Sequence, residues 1–372
     1  MVKINQCGLK FFFIIFFSVC VQFFILMQKI DYRIELAGPK LCRQAKVFCE
    51  EILVHTDDKY ILSVFHLFTD LKKNSIIFIH RPGGTGEDFL LNPNSFIFKL
   101  VLKGFDIWLV NLRGTIFSQR HLNLSETGPE FWDFSPVEII RFDVQGIVDY
   151  VIKVTKSKSV NVVAIGEYGM IIASLMGANE NYLKNVDKVV WIAAGCEEML
   201  KGSWWSHLIA FNWYSKVLES FGVFSVFGKR SVFFGQIIQA FPCISKFFAQ
   251  NKYGWELDQE EINNISYYET VATGHISLKT LNFFSQGQYL PLPNFGEEKN
   301  QKVYGRPNPL LSNFKYPVQK FALFLSNSCT NPSNLFQNDS IFHTSTYNLD
   351  TCGFLLAKNQ SFYPNLLSIL NT

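Results

Sequence analysis

Apolar and polar positions in this chain follow two alternating patterns from about residue 50 onward. Short runs rich in Val, Ile and Phe are separated by longer amphipathic stretches, which is typical of βαβ units on a mostly parallel sheet. Apolar residues recur at helical spacing over residues 139–154, which predicts a helix just before one of the strands. We therefore expect an α/β fold. The predicted strands cover residues 60–68, 75–80, 106–111, 160–165, 188–193 and 320–325.

The stretch from about residue 201 to 288 has a different pattern, because it is rich in Phe, Trp and Ile and helical in periodicity. We predict that residues 201–288 form a helical cap, inserted before the sheet resumes and lying over the carboxyl ends of the strands, where open α/β sheets bind ligands. An ordinary set of core helices is the alternative. The adjacent Trp204 and Trp205 favour a lipid or membrane contact, and burial in the core would explain them equally well.

An almost unbroken apolar run, residues 11–27, follows two lysines near the start of the chain. This pattern predicts entry into the secretory pathway. At about 1.5 Å per residue the run spans roughly 25 Å, slightly less than a bilayer core of about 30 Å. Residues 18–20 (Ser-Val-Cys) also suit signal cleavage. Residues 1–30 are thus either a removed signal peptide or a retained membrane anchor, and we expect the folded domain over residues 45–372.

Cysteines and glycosylation sequons agree with that compartment. An oxidising lumen permits disulfides among the six later cysteines. Asn-x-Ser triplets also suit a secreted or lysosomal protein, although such triplets are common by chance. The cysteines are Cys42, Cys49, Cys196, Cys243, Cys329 and Cys352, and the sequons are at Asn123, Asn264, Asn338 and Asn359. The expected location is extracellular, the lysosomal lumen, or a membrane to which one N-terminal span anchors the protein.

Composition and charge exclude several function classes. The chain of 372 residues is 48% hydrophobic and 17% charged, which indicates a globular protein. Its formal net charge is +3 and no Lys/Arg cluster appears, so we do not expect a nucleic-acid partner. We expect no metal site and no cofactor.

The most informative segment is residues 161–169, Asn-Val-Val-Ala-Ile-Gly-Glu-Tyr-Gly. It predicts a strand, a tight turn and the start of a helix, as in the nucleophile elbow of the α/β-hydrolases. There the nucleophile sits in a strained turn that needs small residues two positions to either side. Here Glu167 stands in the nucleophile's place, and Ile165 replaces the first small residue.

Other motifs occur in a fixed order along the chain. They are Cys49-Glu50-Glu51, residues 57–63 (Asp-Asp-Lys-Tyr-Ile-Leu-Ser), residues 104–108, Asn111-Leu112-Arg113-Gly114, residues 118–121, residues 130–135 and Arg141-Phe142-Asp143. In these motifs the chain resembles the acid lipases, the family of gastric and lysosomal lipases and their insect relatives. The resemblance runs from about Cys49 to the C-terminus and weakens through the cap. It implies an α/β-hydrolase fold with a cap insertion, a Ser/Asp/His triad, an oxyanion hole and an apolar acyl pocket.

The residues at the triad positions depart from the family pattern. The family's aspartate precedes an Asn-Pro pair, which puts Asn327 at that position. The best register for the histidine puts Thr351 there, with Leu349 and Asp350 as the near alternatives. With Glu167 at the elbow, we expect no intact triad. The oxyanion segment, residues 80–84 (His-Arg-Pro-Gly-Gly), contains a proline, which removes a main-chain donor.

The alternative role for Glu167 is that of a carboxylate nucleophile, as in hydrolases that form an ester at the elbow and cleave it with histidine-activated water. That mechanism needs a histidine at the C-terminal position, and none stands there. We favour Glu167 as a polar residue facing a cleft, hydrogen bonded to His80 or Tyr168.

Three functions are compatible with the lipase-like motifs and the altered triad positions. We expect a catalytically inactive, acid-lipase-like protein of the secretory pathway that binds a lipid or apolar ligand under the cap, or a protein partner. The first alternative is an active lipase or carboxylic ester hydrolase with a non-standard site. The second is an adaptor of which only the surface matters. By position, Cys329 and Cys352 are candidates for a disulfide joining the loops of the lost aspartate and histidine, and Cys42 with Cys49 is the next pair.

Overall fold

The computed structural model describes residues 42–43, 45–71, 74–92, 94–178, 181–195, 213–227, 274–285, 297–304, 320–327, 332, 340–349, 351–357 and 360–372. The strands are β1 (Phe48–His55), β2 (Ile61–Phe68), β3 (Ser75–Ile79), β4 (Asp106–Val110), β5 (Val160–Ile165), β6 (Val186–Ala194), β7 (Ser225–Phe227), β8 (His275–Ser277), β9 (Phe321–Ser326) and β10 (Ile341–Tyr347).

Helices in these ranges are α1 (Phe96–Leu102), α2 (Pro136–Glu138, Ile139–Val144 and Gln145–Thr155 in succession), α3 (Glu167–Ala178), α4 (Trp213–Ser220), α5 (Leu278–Ser285), α6 (Glu297–Tyr304), α7 (Thr351–Leu356) and α8 (Tyr363–Asn371). Two short 3₁₀ turns cover Gly86–Phe89 and Pro129–Trp132. No helix of this described part is long and apolar enough to cross a membrane. Residues 1–30, the predicted signal peptide or anchor, lie outside it.

An eight-stranded sheet forms the centre of the molecule, in the order β1-β2-β4-β3-β5-β6-β9-β10. β1 and β4 each pair antiparallel with β2, and every other neighbouring pair is parallel. The six predicted strands are confirmed to within two residues at either end. The mostly parallel sheet is also as predicted.

The central strands of the sheet are buried on both faces. Successive side chains of a strand point to opposite sides, so neighbouring residues enter different core clusters. Ile77 of β3 and Val162 of β5 belong to a cluster with α2 and α3. Their neighbours Ile76 and Val163 belong to a second cluster with α1, α7 and α8. Burial on both sides explains why the central strands read as continuous apolar runs.

Helix α2 begins and ends at residues suited to those positions. Ser135 is its N-cap, and the Ser135 side chain accepts a hydrogen bond from the Val137 main chain at 3.3 Å. Glu138 completes a capping box by accepting from the Ser135 N–H at 2.8 Å. The helix ends where Lys156 takes a left-handed conformation with φ of 56°. Its second segment, Ile139–Val144, is π-helical.

The predicted cap is described in two pieces, residues 213–227 and 274–285. They contain α4 and α5, and also an antiparallel strand pair, β7 with β8. Ile276, Leu278 and Leu281 pack with Leu218 and Val226 in a small core of their own. The prediction of a helical cap is therefore incomplete, because the described part of residues 201–288 contains a strand pair as well as helices. Trp204 and Trp205 lie outside the described residues.

Candidate functional site

The three triad positions follow three parallel strands. Glu167 follows β5, Asn327 follows β9, and Thr351 opens the helix after β10. Because parallel strands end at the same edge of a sheet, these positions share that edge. The Asn327 N–H donates to the Tyr347 carbonyl at 3.0 Å, so the loops after β9 and β10 start side by side.

The turn between β5 and α3 is a single residue, Gly166, with φ of +69°. This left-handed conformation carries little steric penalty for glycine. Three hydrogen bonds fix the turn: the Gly166 N–H donates to Ile192, and the Gly166 carbonyl accepts from the Gly169 N–H at 3.1 Å and from Trp191 Nε1 at 2.7 Å. Glu167 is not among the described residues with positive φ. The strain expected of a nucleophile's turn is thus replaced by a glycine turn.

Glu167 is 7% exposed and begins α3, where the helix dipole favours a carboxylate. The next residue, Tyr168, is buried, and its ring lies 6.4 Å from that of His80. Burial, together with the charges of Asp143 and Glu167, raises the pKa of Tyr168 above its ordinary value. The phenol therefore stays protonated and does not serve as a base.

His80 follows β3 and is 2% exposed. Its Nδ1 lies 2.7 Å from the Arg81 carbonyl and its Nε2 accepts from the Leu112 N–H at 3.2 Å. Burial lowers the pKa of His80 to about 4, so the ring is neutral with its proton on Nδ1. Main-chain groups occupy both ring nitrogens of His80, and the hydrogen bond from Glu167 to His80 or Tyr168 stays a prediction.

The oxyanion segment forms a tight turn that uses its own donor. The Gly84 N–H donates to the Arg81 carbonyl at 2.9 Å, with Pro82 at the second position and Gly83, φ +74°, at the third. This is a type II turn. Gly274 of the cap donates to the Gly83 carbonyl, and a Cβ on Gly274 would lie 2.4 Å from the Gly84 oxygen. The cap segment therefore packs directly on this turn.

Four described histidines are hydrogen bonded away from the triad positions. His66 lies between Glu50 and Asp106, at 2.9 and 2.6 Å. His121 bonds to the Asp58 carbonyl and two main-chain N–H groups. His343, inside β10, bonds to Ser345 at 2.7 Å. Ring nitrogens of these three histidines and of His80 therefore bond to groups outside the triad positions.

Three of the family motifs meet at Arg113, whose side chain is 1% exposed. Arg113 Nη1 and Nη2 donate to Asp58 at 2.6 and 2.9 Å, while Nε and Nη2 donate to Asp143 at 2.8 and 2.6 Å. The guanidinium lies 3.9 Å from the centre of the Tyr60 ring. Burial alone would lower the pKa of Arg113, but the two carboxylates outweigh burial and raise it. The π-helical turn places Asp143 for this contact.

Asn111 and Ser118 of the neighbouring motifs also hold the scaffold. Asn111 Oδ1 accepts from the Gly86 N–H at 2.8 Å. Ser118 Oγ accepts from the Ser63 N–H at 2.9 Å and donates to the Asn111 carbonyl at 2.7 Å. The motifs that carry the resemblance therefore maintain the fold, and they do so independently of the triad positions.

A cleft of about 420 Å³ opens where the core meets the cap. Trp132, Phe224 and Leu278 supply its apolar wall. Pro129, Glu130, Asp133, Glu219 and Lys279 line the remainder, and Lys279 pairs with Asp133. The walls of this cleft come from two segments far apart in the chain, so no local sequence pattern identifies its lining residues.

The remaining predicted site residues are only partly described. Asn123 is exposed in a loop, as a glycosylation site requires. Asn264, Asn338, Asn359 and Cys329 lie outside the described residues. Only the main chain of Cys352 is described, within α7, so its pairing with Cys329 stays a prediction. Within the described ranges no group of His, Cys, Asp and Glu is suited to hold a metal ion.

The mostly parallel sheet, the strand-turn-helix at Gly166 and the inserted cap define an α/β-hydrolase fold. The chain is similar in sequence to several lipases. A probable lipase of Schizosaccharomyces pombe is 33% identical over 129 residues, 31% of this chain and 27% of the relative. Lipase lipl-5 of Caenorhabditis elegans is 25% identical over 287 residues, 69% of each chain. Human lipase member M is 35% identical over 121 residues, 30% of this chain and 29% of the relative.

The first of these matches is short, since it spans about a quarter of the length of the fission yeast relative. Among solved structures, an esterase from Exiguobacterium antarcticum is 11% identical, with a TM-score of 0.47, and the match covers 87% of this chain and all of the esterase. No protein-family model matches the chain.

Proposed function

We propose that this protein is an acid-lipase-like pseudoenzyme of the secretory pathway that binds an acyl lipid and does not hydrolyse it. The observation that carries the proposal is Glu167, a carboxylate that heads α3 where the fold's nucleophile belongs. Asn327 and Thr351 stand at the acid and histidine positions. A neutral amide does not stabilise an imidazolium, and threonine does not act as the base. Losing one triad member lowers the rate by several orders of magnitude.

The oxyanion turn supports the same conclusion. Its Gly84 N–H is already bonded to Arg81, and Pro82 has no N–H to donate. Stabilising a developing oxyanion requires donors aimed at the substrate oxygen. The turn would have to open and release the cap segment at Gly274 before it could supply one.

Binding of a lipid is supported by the homology to lipases and by the cleft at the base of the cap. The apolar wall of Trp132, Phe224 and Leu278 suits an acyl chain. Three carboxylates line the cleft against one ammonium, so a free fatty acid would be repelled there. A neutral acyl ester, such as a diacylglycerol, is the lipid class that fits.

Binding is tested with pyrene-labelled diacylglycerol and the full chain purified from a secretory eukaryotic host. We expect saturable binding, weaker binding of the pyrene-labelled fatty acid, and an about tenfold loss of affinity in Phe224→Ser, from about 1.4 kcal/mol of lost apolar contact. The matched control is Phe221→Ser, since Phe221 is 49% exposed and does not line the cleft. Equal effects of the two substitutions, or no binding, would refute the lipid site.

An active ester hydrolase is the second candidate, favoured by the lipase names of the relatives. This activity would need Glu167 as the nucleophile. It would also need a general base other than the described histidines that are bonded away from the triad positions. Ester turnover by the wild type that disappears in Glu167→Gln would establish it.

A further inference from the structure

Cys42 and Cys49 are brought together by the turn that leads into the domain. The Val47 N–H donates to the Cys42 carbonyl at 3.1 Å, and the Lys46 N–H donates to the Arg43 carbonyl at 3.2 Å. Lys46 is left-handed, with φ of 57°. These bonds form a Schellman motif, in which the residue two beyond the helix end packs against the residue in the last turn. Val47 is therefore held against Cys42.

The strand that follows places Cys49 on the same side. Val47 is buried, Phe48 is exposed, Cys49 is half-buried and Glu50 is exposed, as the alternation of an extended chain requires. Cys42 is 1% exposed in the core cluster on that face, and Cys49 packs against the same cluster. Each of the two thiols shifts the pKa of the other, so the side chains of Cys42 and Cys49 lie close together.

We propose that Cys42 and Cys49 form a disulfide that closes the turn at the entrance of the domain. Of the described cysteines, Cys42 and Cys49 are both free thiols in this structure, and both belong to or pack against the same core cluster. The bond would pin the chain just after the N-terminal apolar segment to β1. It rests on the secretory location in the proposed function, because the oxidant in that compartment is a disulfide, either oxidised glutathione or a protein dithiol oxidase.

The two thiols have different roles in this reaction. Hydrogen bonding between the two thiols lowers the pKa of the Cys49 thiol and raises the pKa of Cys42. Cys49 is also the more exposed of the two. Its thiolate attacks one sulfur of the oxidant disulfide and releases a thiolate. Cys42 then loses its proton and attacks Cys49, displacing the second thiolate and closing the bond.

Peptide mapping of the full chain secreted from eukaryotic cells tests the bond directly. Free thiols are alkylated, and the protein is then digested with trypsin without reduction. Arg43 and Lys46 lie between the cysteines, so trypsin leaves the two cysteines on separate peptides unless the disulfide joins them. We expect the joined peptide. Alkylated Cys42 and Cys49 in this sample, together with failure of the reduced protein to form the bond with oxidised glutathione, would overturn the proposal.

The roles of the two thiols are tested in vitro with reduced protein and oxidised glutathione. Cys42→Ser should accumulate glutathione on Cys49, whereas Cys49→Ser should leave Cys42 unmodified. The reverse pattern would overturn the assigned order. Because this arm needs no secretion, its success beside a failed secreted sample would locate the fault in the proposed compartment.

Stability gives a second readout. Reductant should lower the Tm of the oxidised wild type by on the order of 5 °C, since the bond closes a short loop. The Cys49→Ser variant should lose this part of the response, and any reductant effect that remains in it belongs to other cysteines. An equal shift in wild type and Cys49→Ser would count against the bond.

Discussion

Arg113 illustrates how single residues hold this scaffold. Its guanidinium is surrounded by Asp58, Asp143 and the Tyr60 ring, so its charge is fully paired although water is excluded. A buried ion pair adds little net stability over apolar packing, but removing one partner leaves the others charged and unpaired. The role of these residues in folding therefore does not depend on the chemistry at the predicted triad positions.

We predict that Arg113→Met lowers the free energy of unfolding by about 3–5 kcal/mol. Lys279→Met is the matched control, because Lys279 is 47% exposed and its pair with Asp133 lies at the surface. The control should change stability by about 1 kcal/mol or less. Urea unfolding of both variants measures the difference, and equal losses would contradict the assigned role of Arg113.

Because His80 is buried and its pKa is lowered, we predict that the free energy of unfolding depends on pH. Burial lowers its folded pKa to about 4, while the unfolded chain has the ordinary value of about 6.5. Between these values the unfolded state binds more protons, so the free energy of unfolding falls as the pH falls. The contribution is complete above about pH 6.5 and is lost by about pH 4, and amounts to at most about 3 kcal/mol.

Urea unfolding across this pH range in wild type and His80→Gln isolates the contribution. We expect the stability difference between the two proteins to shrink toward acid pH, because glutamine does not titrate. A difference that stays constant from neutral to acid pH would show that His80 is not held neutral.

At the scale of elements, the sequence predicts strands well where both faces are buried. All five residues of β3 and all six of β5 are buried, so their apolar runs are unbroken. The edge strand β1 exposes most of its side chains and lacks such a run. Strands β7 and β8 have three residues each, too few for any periodicity.

Motif register predicts Glu167, Asn327 and Thr351 as the site positions, and this assignment stays a prediction. The parallel strands bring the main chains at these positions to one edge of the sheet. No sequence pattern revealed that Gly166 takes the left-handed turn, or that both ring nitrogens of His80 bond to main-chain groups. Those features depend on contacts with β6 and with the segment after β4, which are distant in sequence.

The close packing of α3 against Trp191 of β6 can be tested at Gly169. A Cβ on Gly169 would lie 2.3 Å from Trp191, whose indole is buried and bonded to Gly166. We expect Gly169→Ala to lower the free energy of unfolding by roughly 1–3 kcal/mol through overpacking. Gly146→Ala in α2 meets only an ordinary contact at 3.9 Å and should be neutral or stabilising by up to about 1 kcal/mol. Thermal unfolding of both variants checks this, and a neutral Gly169→Ala would contradict the packing.

At the scale of the whole molecule, the proposed function separates the fold from the chemistry. The sheet, the Arg113 cluster and the cap contact at Gly274 are in place, while the residues at the three triad positions are unsuited to acyl transfer. The scaffold presents a cleft between the core and the predicted cap. We infer that binding, without turnover, is what this molecule retains.

The most direct test is hydrolysis of short and long acyl p-nitrophenyl esters by the purified protein, at acid and neutral pH, beside Glu167→Gln. The substitution removes the charge and keeps the size of the side chain. We predict release of p-nitrophenol at the buffer rate for both proteins. Turnover by the wild type that Glu167→Gln abolishes would contradict the account and identify Glu167 as a nucleophile.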